Sequence, residues 1–206
     1  MNRPNNYDAT PTGNYTPIEL GAHKMVIKQV NESKTSTGKD MLVVYLDCDT
    51  TDSQPAFFAE QYKNDRREEK KWPNQATQYI VCVDDSGNCS RSLKSFCTSV
   101  EESNNKFSCW NKDDSFNFAG IKGKKVGAVF GEQLDFYDGE EKKKRVLRWF
   151  CSTDKLSEQT IPEISETKAY KQWKEQPVNQ IGGNGSTGTE DFMNIPDGID
   201  EELPFN

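Results

Sequence analysis

The chain has no long apolar run. Hydrophobic residues make up 33% of its 206 residues and the mean hydropathy is −0.89. No segment approaches the ~20 apolar residues that cross a bilayer as a helix, so no membrane partner is expected. Residues 1–17 lack the apolar core of a secretory leader, and none is expected there. Histidine is almost missing: His23 stands alone, read here as a strand residue, and no Cys-x-x-Cys occurs. A zinc site is therefore not expected. Cys48, Cys82, Cys89, Cys97, Cys109 and Cys151 are scattered without close pairing, the pattern of buried thiols in a reducing compartment rather than of a disulfide framework. There is no Walker-type phosphate loop and no nucleophile with an evident base. Neither a cofactor nor catalysis is expected.

Charge is present in quantity but unevenly placed. The formal net charge is −7, from 26 basic and 33 acidic side chains. Residues 176–206 carry six of the acids (Glu190, Asp191, Asp197, Asp200, Glu201, Glu202) and no Lys or Arg. Removing them leaves 27 acids against 26 bases, so residues 1–175 have a net charge of −1. A balanced body can still carry a basic stripe, and stripes govern binding more than totals do.

Periodicity divides the body. Residues 22–30 and 41–48 read as strands joined by a polar turn, the second alternating Leu42, Val44, Leu46 and Cys48 against Val43, Tyr45 and Asp47. Residues 78–83 form a third strand, closed by Asp-Asp-Ser-Gly-Asn. Leu93, Phe96, Cys97 and Val100 then follow helical spacing, with Ser90 or Ser92 as cap. Residues 124–131 and 143–152 are two more strands, and Asp138-Gly139 between them is a hairpin turn. Three strands, a helix and two strands give a mainly β protein. The expected fold is an OB-fold, a five-stranded Greek-key barrel with a helix between strands three and four. The same succession also suits another small β-rich α+β domain. The chain divides into a body over 1–175, a Gly/Ser/Thr/Asn-rich flexible linker over 176–196, and an acidic tip over 197–206; linker and tip together are read as a disordered tail.

Between strands two and three lies FFAEQYKNDRREEKKWP, residues 57–73. As a helical insertion it would gather Lys63, Arg66, Arg67, Lys70 and Lys71 within about 140° of one another on the helical wheel, with Phe58, Tyr62 and Trp72 on the other side. Such a face suits a phosphate backbone. The alternative is a solvated helix tied by pairs with Glu60, Asp65, Glu68 and Glu69. A second cluster, Lys142, Lys143, Lys144 and Arg145, follows Phe136 and Tyr137 in the hairpin, and the loop between strands one and two offers Lys34 and Lys39. OB-folds hold oligonucleotides with these two loops. Tyr45, Tyr62, Trp72, Phe136 and Tyr137 are the aromatics expected on that surface, where bases stack. Trp110, Phe116, Phe118, Phe130 and Trp149 are expected to pack. Glu140-Glu141-Lys142, with Asp135 and Asp138, resembles the acid–lysine set of metal-dependent nucleases, but all these acids fall in one hairpin.

The chain closes in Asp200-Glu201-Glu202-Leu203-Pro204-Phe205-Asn206. An apolar Leu-Pro-Phe behind acids makes poor core and resembles the acidic tip of bacterial single-stranded-DNA-binding proteins. The stretches TSTGKDMLVVYLD, RSLKSFCTSVEESN and GIKGKKVGAVFGEQLDFYDGEEKKKRVLRWF are similar to OB-fold single-stranded-DNA-binding proteins of phages and mobile elements. That resemblance implies a protein of the bacterial cytoplasm that coats single-stranded DNA (ssDNA) without sequence preference. It also implies recruitment of replication, recombination or repair proteins through Asp200, Glu201, Glu202, Leu203, Pro204 and Phe205. Here Asn206 displaces the terminal carboxylate from Phe205 by one residue. A homo-oligomer is compatible with this reading. A strand-annealing recombination factor is the alternative function, and a metal-dependent nuclease a further one.

Overall fold

The computed structural model describes residues 17–175, so the linker and the acidic tip lie outside the described residues. The protein is mainly β. Strands β1 (Gly21–Lys34), β2 (Asp40–Cys48), β3 (Thr77–Val81), β4 (Lys125–Tyr137) and β5 (Glu140–Cys151) form one antiparallel sheet in the order β3-β2-β1-β4-β5. A sixth, two-residue strand, β6 (Ser165–Glu166), pairs in parallel with Gln133 and Leu134 of β4. The helices are α1 (Phe57–Asn64), α2 (Arg91–Ser103), the single turn α3 (Phe118–Ile121) and α4 (Lys168–Glu175).

The strand count differs from the expectation. The strands number six rather than five, because the chain after β5 returns to the sheet. Among the described residues β3 and β5 form no ladder, so the sheet is open between them.

β1 organises the sheet. Gly21–Val26 pair with β4, whereas Met25–Lys34 pair with β2, and Lys28 is an extra residue bulged out between the Ile27–Leu46 and Gln29–Tyr45 pairs. The bulge shifts the phase of the strand: Gly21, His23, Met25 and Ile27 face inward before it, and Val30 after it. The inner surface carries Ile27, Val44, Leu46, Val126 and Phe130, with Phe58 of α1 and Phe96 of α2 fully buried against it. Each such phenylalanine contributes about 1.5–3 kcal/mol by area. β1 runs four residues beyond the expected strand, so the β1–β2 connection is only a tight turn over Thr35–Lys39.

α2 forms as its periodicity predicts. Ser90 Oγ accepts from Leu93 N at 3.1 Å, and Leu93, Phe96, Cys97 and Val100 are buried. The β4–β5 hairpin likewise turns at Asp138-Gly139, both at positive φ (57° and 75°), the geometry of a two-residue hairpin loop. β2 departs from its alternation: Val43 and Asp47 are buried as well as Leu42, Val44 and Leu46. The cause is α1. Asp47 Oδ1 accepts from Phe58 N and Ala59 N, each at 3.1 Å, capping α1 from the neighbouring strand. Burial pushes the Asp47 carboxyl above its ordinary range, and those N–H bonds offset this only in part.

His23 is more than a strand residue. It is 2% exposed, its Nδ1 lies 2.8 Å from Asp52 Oδ1, and its Nε2 lies 3.1 Å from the Glu19 carbonyl. Both ring nitrogens face acceptors, so both donate and the ring is the cation. Burial opposes that charge, but Asp52 and the Glu19 carbonyl outweigh it and hold the His23 pKa above the ordinary histidine value. Burial likewise opposes the Asp52 charge, yet His23 and the N–H groups of Gln54 and Lys24 hold its carboxyl below the usual range. A raised folded pKa stabilises fully below the unfolded value, about 6.5, and that stabilisation is lost as pH climbs through the folded one. The lowered Asp52 value stabilises above about pH 4 and is lost as pH falls through its folded pKa. We therefore expect the melting temperature to decline from about pH 6.5 upward. In His23→Gln this alkaline decline should be missing; thermal melts of both proteins at pH 6 and pH 9 check it, and equal slopes would contradict the pairing.

Candidate nucleic-acid interface

The basic segment between β2 and β3 is the first candidate, and its conformation differs from the expected helix. α1 stops at Asn64, and residues 65–73 run as irregular chain. Asp65 ends the helix in an extended conformation (φ −64°, ψ 126°), and its carboxylate takes the Arg67 backbone N–H at 3.1 Å and the Arg67 guanidinium at 2.6–3.0 Å. A local side-chain bond of this kind competes with the helix, and Pro73 restricts Trp72 as well. The hydrogen bond from Arg67, with its backbone N–H and charge, lowers the Asp65 pKa to about 2. The wheel that would place Lys63, Arg66, Arg67, Lys70 and Lys71 on one helical face therefore does not apply beyond Lys63.

The segment is nonetheless held in one place. Trp72 Nε1 donates to the Leu46 carbonyl at 2.9 Å, just past the Tyr45–Thr77 pair where β3 begins. The indole takes the position a longer β3 would have filled. Trp72 is partly buried against the core rather than displayed, with the Tyr62 ring 5.4 Å away. Lys70 Nζ reaches back to the Lys63 carbonyl at 3.0 Å, at the C-terminal end of α1, where a cation is favoured. Beyond Pro73, Gln75 Nε2 donates to the Arg145 carbonyl at 3.1 Å, which ties the segment to β5 across the open side of the sheet.

Tyr45 lies in β2, one residue from Leu46, and is half-buried. Tyr79, which the expected site did not include, stands diagonal to it on β3 and is 41% exposed. Burial, with Tyr45 nearby, raises the Tyr79 pKa. Tyr62 and Trp72 thus stand next to the Tyr45–Thr77 pair where β3 begins, with the 63–71 cations in the chain between them, and Tyr79 lies two residues further along β3. Alternation of β3 was the signal that could have found Tyr79.

The other expected residues fall elsewhere. Lys34 pairs with Asp40 at 2.6 Å and Lys39 with Asp85 at 2.5 Å, at the opposite end of β2. On the hairpin, Lys143 pairs with Glu132 at 2.5 Å and Lys144 with Asp135 at 2.9 Å. Arg145 Nη1 donates to the Ile18 carbonyl, fastening the described N-terminal end to β5. Tyr137 is 69% exposed, with Lys142 Nζ 5.1 Å from its ring centre. Phe136 is not open to a base: Trp173 of α4 stacks on it at 4.6 Å and 9°. Helix α4, which the sequence reading missed, is also tied by Tyr170 Oη donating to Glu141 at 2.9 Å and Thr167 Oγ1 donating to Asp135 at 2.7 Å. Thr167 as cap, with Tyr170 and Trp173 three apart, was the available signal. Two of the acids in the nuclease alternative, Asp135 and Glu141, are thus engaged in holding α4.

Five aromatics change places relative to expectation or confirm it. Phe130 is fully buried and Phe116 packs partly buried against the core. Trp110, Phe118 and Trp149 are instead 37–43% exposed. Among the described residues, the ligand atoms of His23, Cys48 and Asp52 lie within 4.8 Å of one another, a spacing short enough for a metal ion. Its chemistry fits poorly, because the ring is already the cation partner of Asp52, and burial pushes the Cys48 thiol up to about 12.

The anchoring of the basic segment is testable. Trp72→Phe keeps the ring but removes the donor to Leu46, leaving a carbonyl without its bond, which costs about 1–3 kcal/mol. We expect limited trypsin digestion to cut faster at Lys63, Arg66, Arg67, Lys70 and Lys71 in this variant than in the parent; an unchanged rate would show that the indole bond does not hold the segment.

No family model matches the chain, and no curated protein shows significant similarity to it.

Proposed function

We propose that the protein binds single-stranded DNA without sequence preference and is not an enzyme. The observation that carries this reading is the basic 63–71 segment held between Tyr62 and Trp72 where β3 begins, with Tyr45 next to the anchoring Leu46 and Tyr79 diagonal to Tyr45. Cations that track a backbone, next to aromatic faces on which any base can stack, are the two parts that ssDNA recognition needs. The succession of three strands, a helix and two strands, with β1 shared between β2 and β4, fits a partly open OB barrel. In that reading the Gln75–Arg145 bond closes the seam that β3 and β5 leave unpaired.

The acidic tip fits the same role as a recruiting element for replication, recombination or repair proteins. Leu203-Pro204-Phe205 would supply the apolar anchor and Asp200, Glu201 and Glu202 the charge. Such short ligands bind modestly, because docking must order them.

Titration with fluorescent oligo-dT tests the reading. Affinity should fall steeply with salt, each neutralised phosphate contributing about −0.7 to the logarithmic slope, and duplex should bind more weakly. Replacing Lys63, Arg67, Lys70 and Lys71 by Glu should abolish binding. The thermal melt should shift little, since exposed ion pairs are worth roughly 0–1 kcal/mol. Binding that survives the fourfold change would place the groove elsewhere, and equal affinity for duplex would refute the reading.

A further inference from the structure

The connection from α2 to β4 displays aromatic surface that the core does not use. Trp110 and Phe116 face each other as a single antiparallel bridge across a tight turn, in which Asn111 N donates to the Ser115 carbonyl at 2.9 Å. Their rings lie 5.5 Å apart at 87°, and Phe118 lies 4.9 Å from Phe116. Phe116 packs against the core, while Trp110 is 43% and Phe118 37% exposed. The indoles of Trp72 and Trp149 each donate a hydrogen bond, to Leu46 O and Gln159 Oε1; that of Trp110 has no partner among the described residues.

The surroundings are polar. Lys112 lies in the turn and Lys122 follows Phe118 by four residues, one helical turn on; neither is in an ion pair among the described residues. Lys124 Nζ sits 4.8 Å from the Phe107 ring centre, in the same connection. Of the three acids here, Asp113 is turned onto Ser115, accepting from its N–H and hydroxyl at 3.1 and 2.6 Å, Asp114 occupies the tip of the turn at φ 61°, and Glu101 of α2 accepts from Ser108 Oγ and Cys109 N at 3.2 and 2.8 Å.

We propose that Trp110 and Phe118 form a second stacking platform for single-stranded nucleic acid, apart from the β2–β3 face. This rests on the ssDNA-binding reading above and extends it to a second contact on the same strand. Size decides between a nucleic acid and a protein as the occupant. A stable protein interface buries about 800 Å² on each partner around an apolar centre, whereas two exposed rings amid Asn, Lys and Asp offer far less. Two rings are enough for one or two bases, and unpaired lysines beside them suit the phosphates between those bases.

The test uses the full chain and two oligo-dT lengths, about 8 and about 30 nucleotides, a single fold's site size and a span well beyond it. In Trp110→Ala/Phe118→Ala, affinity for the long oligonucleotide should fall about tenfold or more, and affinity for the short one should hold. Trp110→Phe, which keeps a stacking ring, should restore long-oligonucleotide affinity while reducing the fluorescence quenching seen on binding. A circular-dichroism melt matching the parent shows that the variants fold. Unchanged affinity for both lengths overturns this platform while leaving the first site standing, and so does loss of a bound protein without any change in ssDNA affinity. If the parent protein binds neither oligonucleotide, the ssDNA reading and this platform fail together.

Discussion

β1 has two partners, and the bulge at Lys28 lets it serve both. Its first half pairs with β4 and its second with β2, with Met25 and Val26 common to the two ladders. A regular strand of fourteen residues would keep one inward phase throughout and would present Gln29 where Val30 is needed. By absorbing one residue the strand coils and keeps an apolar inner row. The β2–β3 pair and the β4–β5 hairpin therefore face one core. Phe58 and Phe130, whose ring centres are 6.2 Å apart, meet there from α1 and β4.

The candidate interface depends on that arrangement at one remove. Because β3 is short, Leu46 of β2 pairs with Ile27 of β1 but has no strand neighbour on its β3 side, and the Trp72 indole bonds to it there instead. This holds a nine-residue run rich in Lys and Arg against the sheet without secondary structure of its own. The same run continues into Gln75, which reaches β5. The open side of the sheet is thus bridged by side chains rather than by a ladder, and the cations stand at its margin.

How far the sequence reading reached follows from the range of each interaction. Helix α2 with its Ser90 cap, and the Asp138-Gly139 turn, are set by residues within a few positions of each other, and both are as expected. The end of α1 is local too, but the wheel over 57–73 weighed charge positions and not the Asp65–Arg67 bond that stops the helix. Other features are long-range and left no such pattern: the Asp47 cap on α1, the Ile18–Arg145 contact, and the covering of Phe136 by Trp173. A lysine cluster read from sequence also says nothing of its partners. Lys143 and Lys144 carry acids from β4 because the hairpin register puts Glu132 and Asp135 beside them. The exposure of Trp110 and Phe118 was hidden for the opposite reason, since spacing cannot tell a ring that packs from one that a small loop holds out.

The central claim is that one strand of DNA lies along residues 62–72 and over the β2–β3 tyrosines. Ultraviolet crosslinking of a short oligo-dT to the full chain, with peptide mapping of the attachment points, addresses it most directly. The account predicts crosslinks at Tyr45, Tyr62 or Tyr79 and within the 63–71 peptide. Efficient crosslinking confined to Tyr137 and the β4–β5 hairpin, with none on β2, β3 or the basic segment, would contradict it.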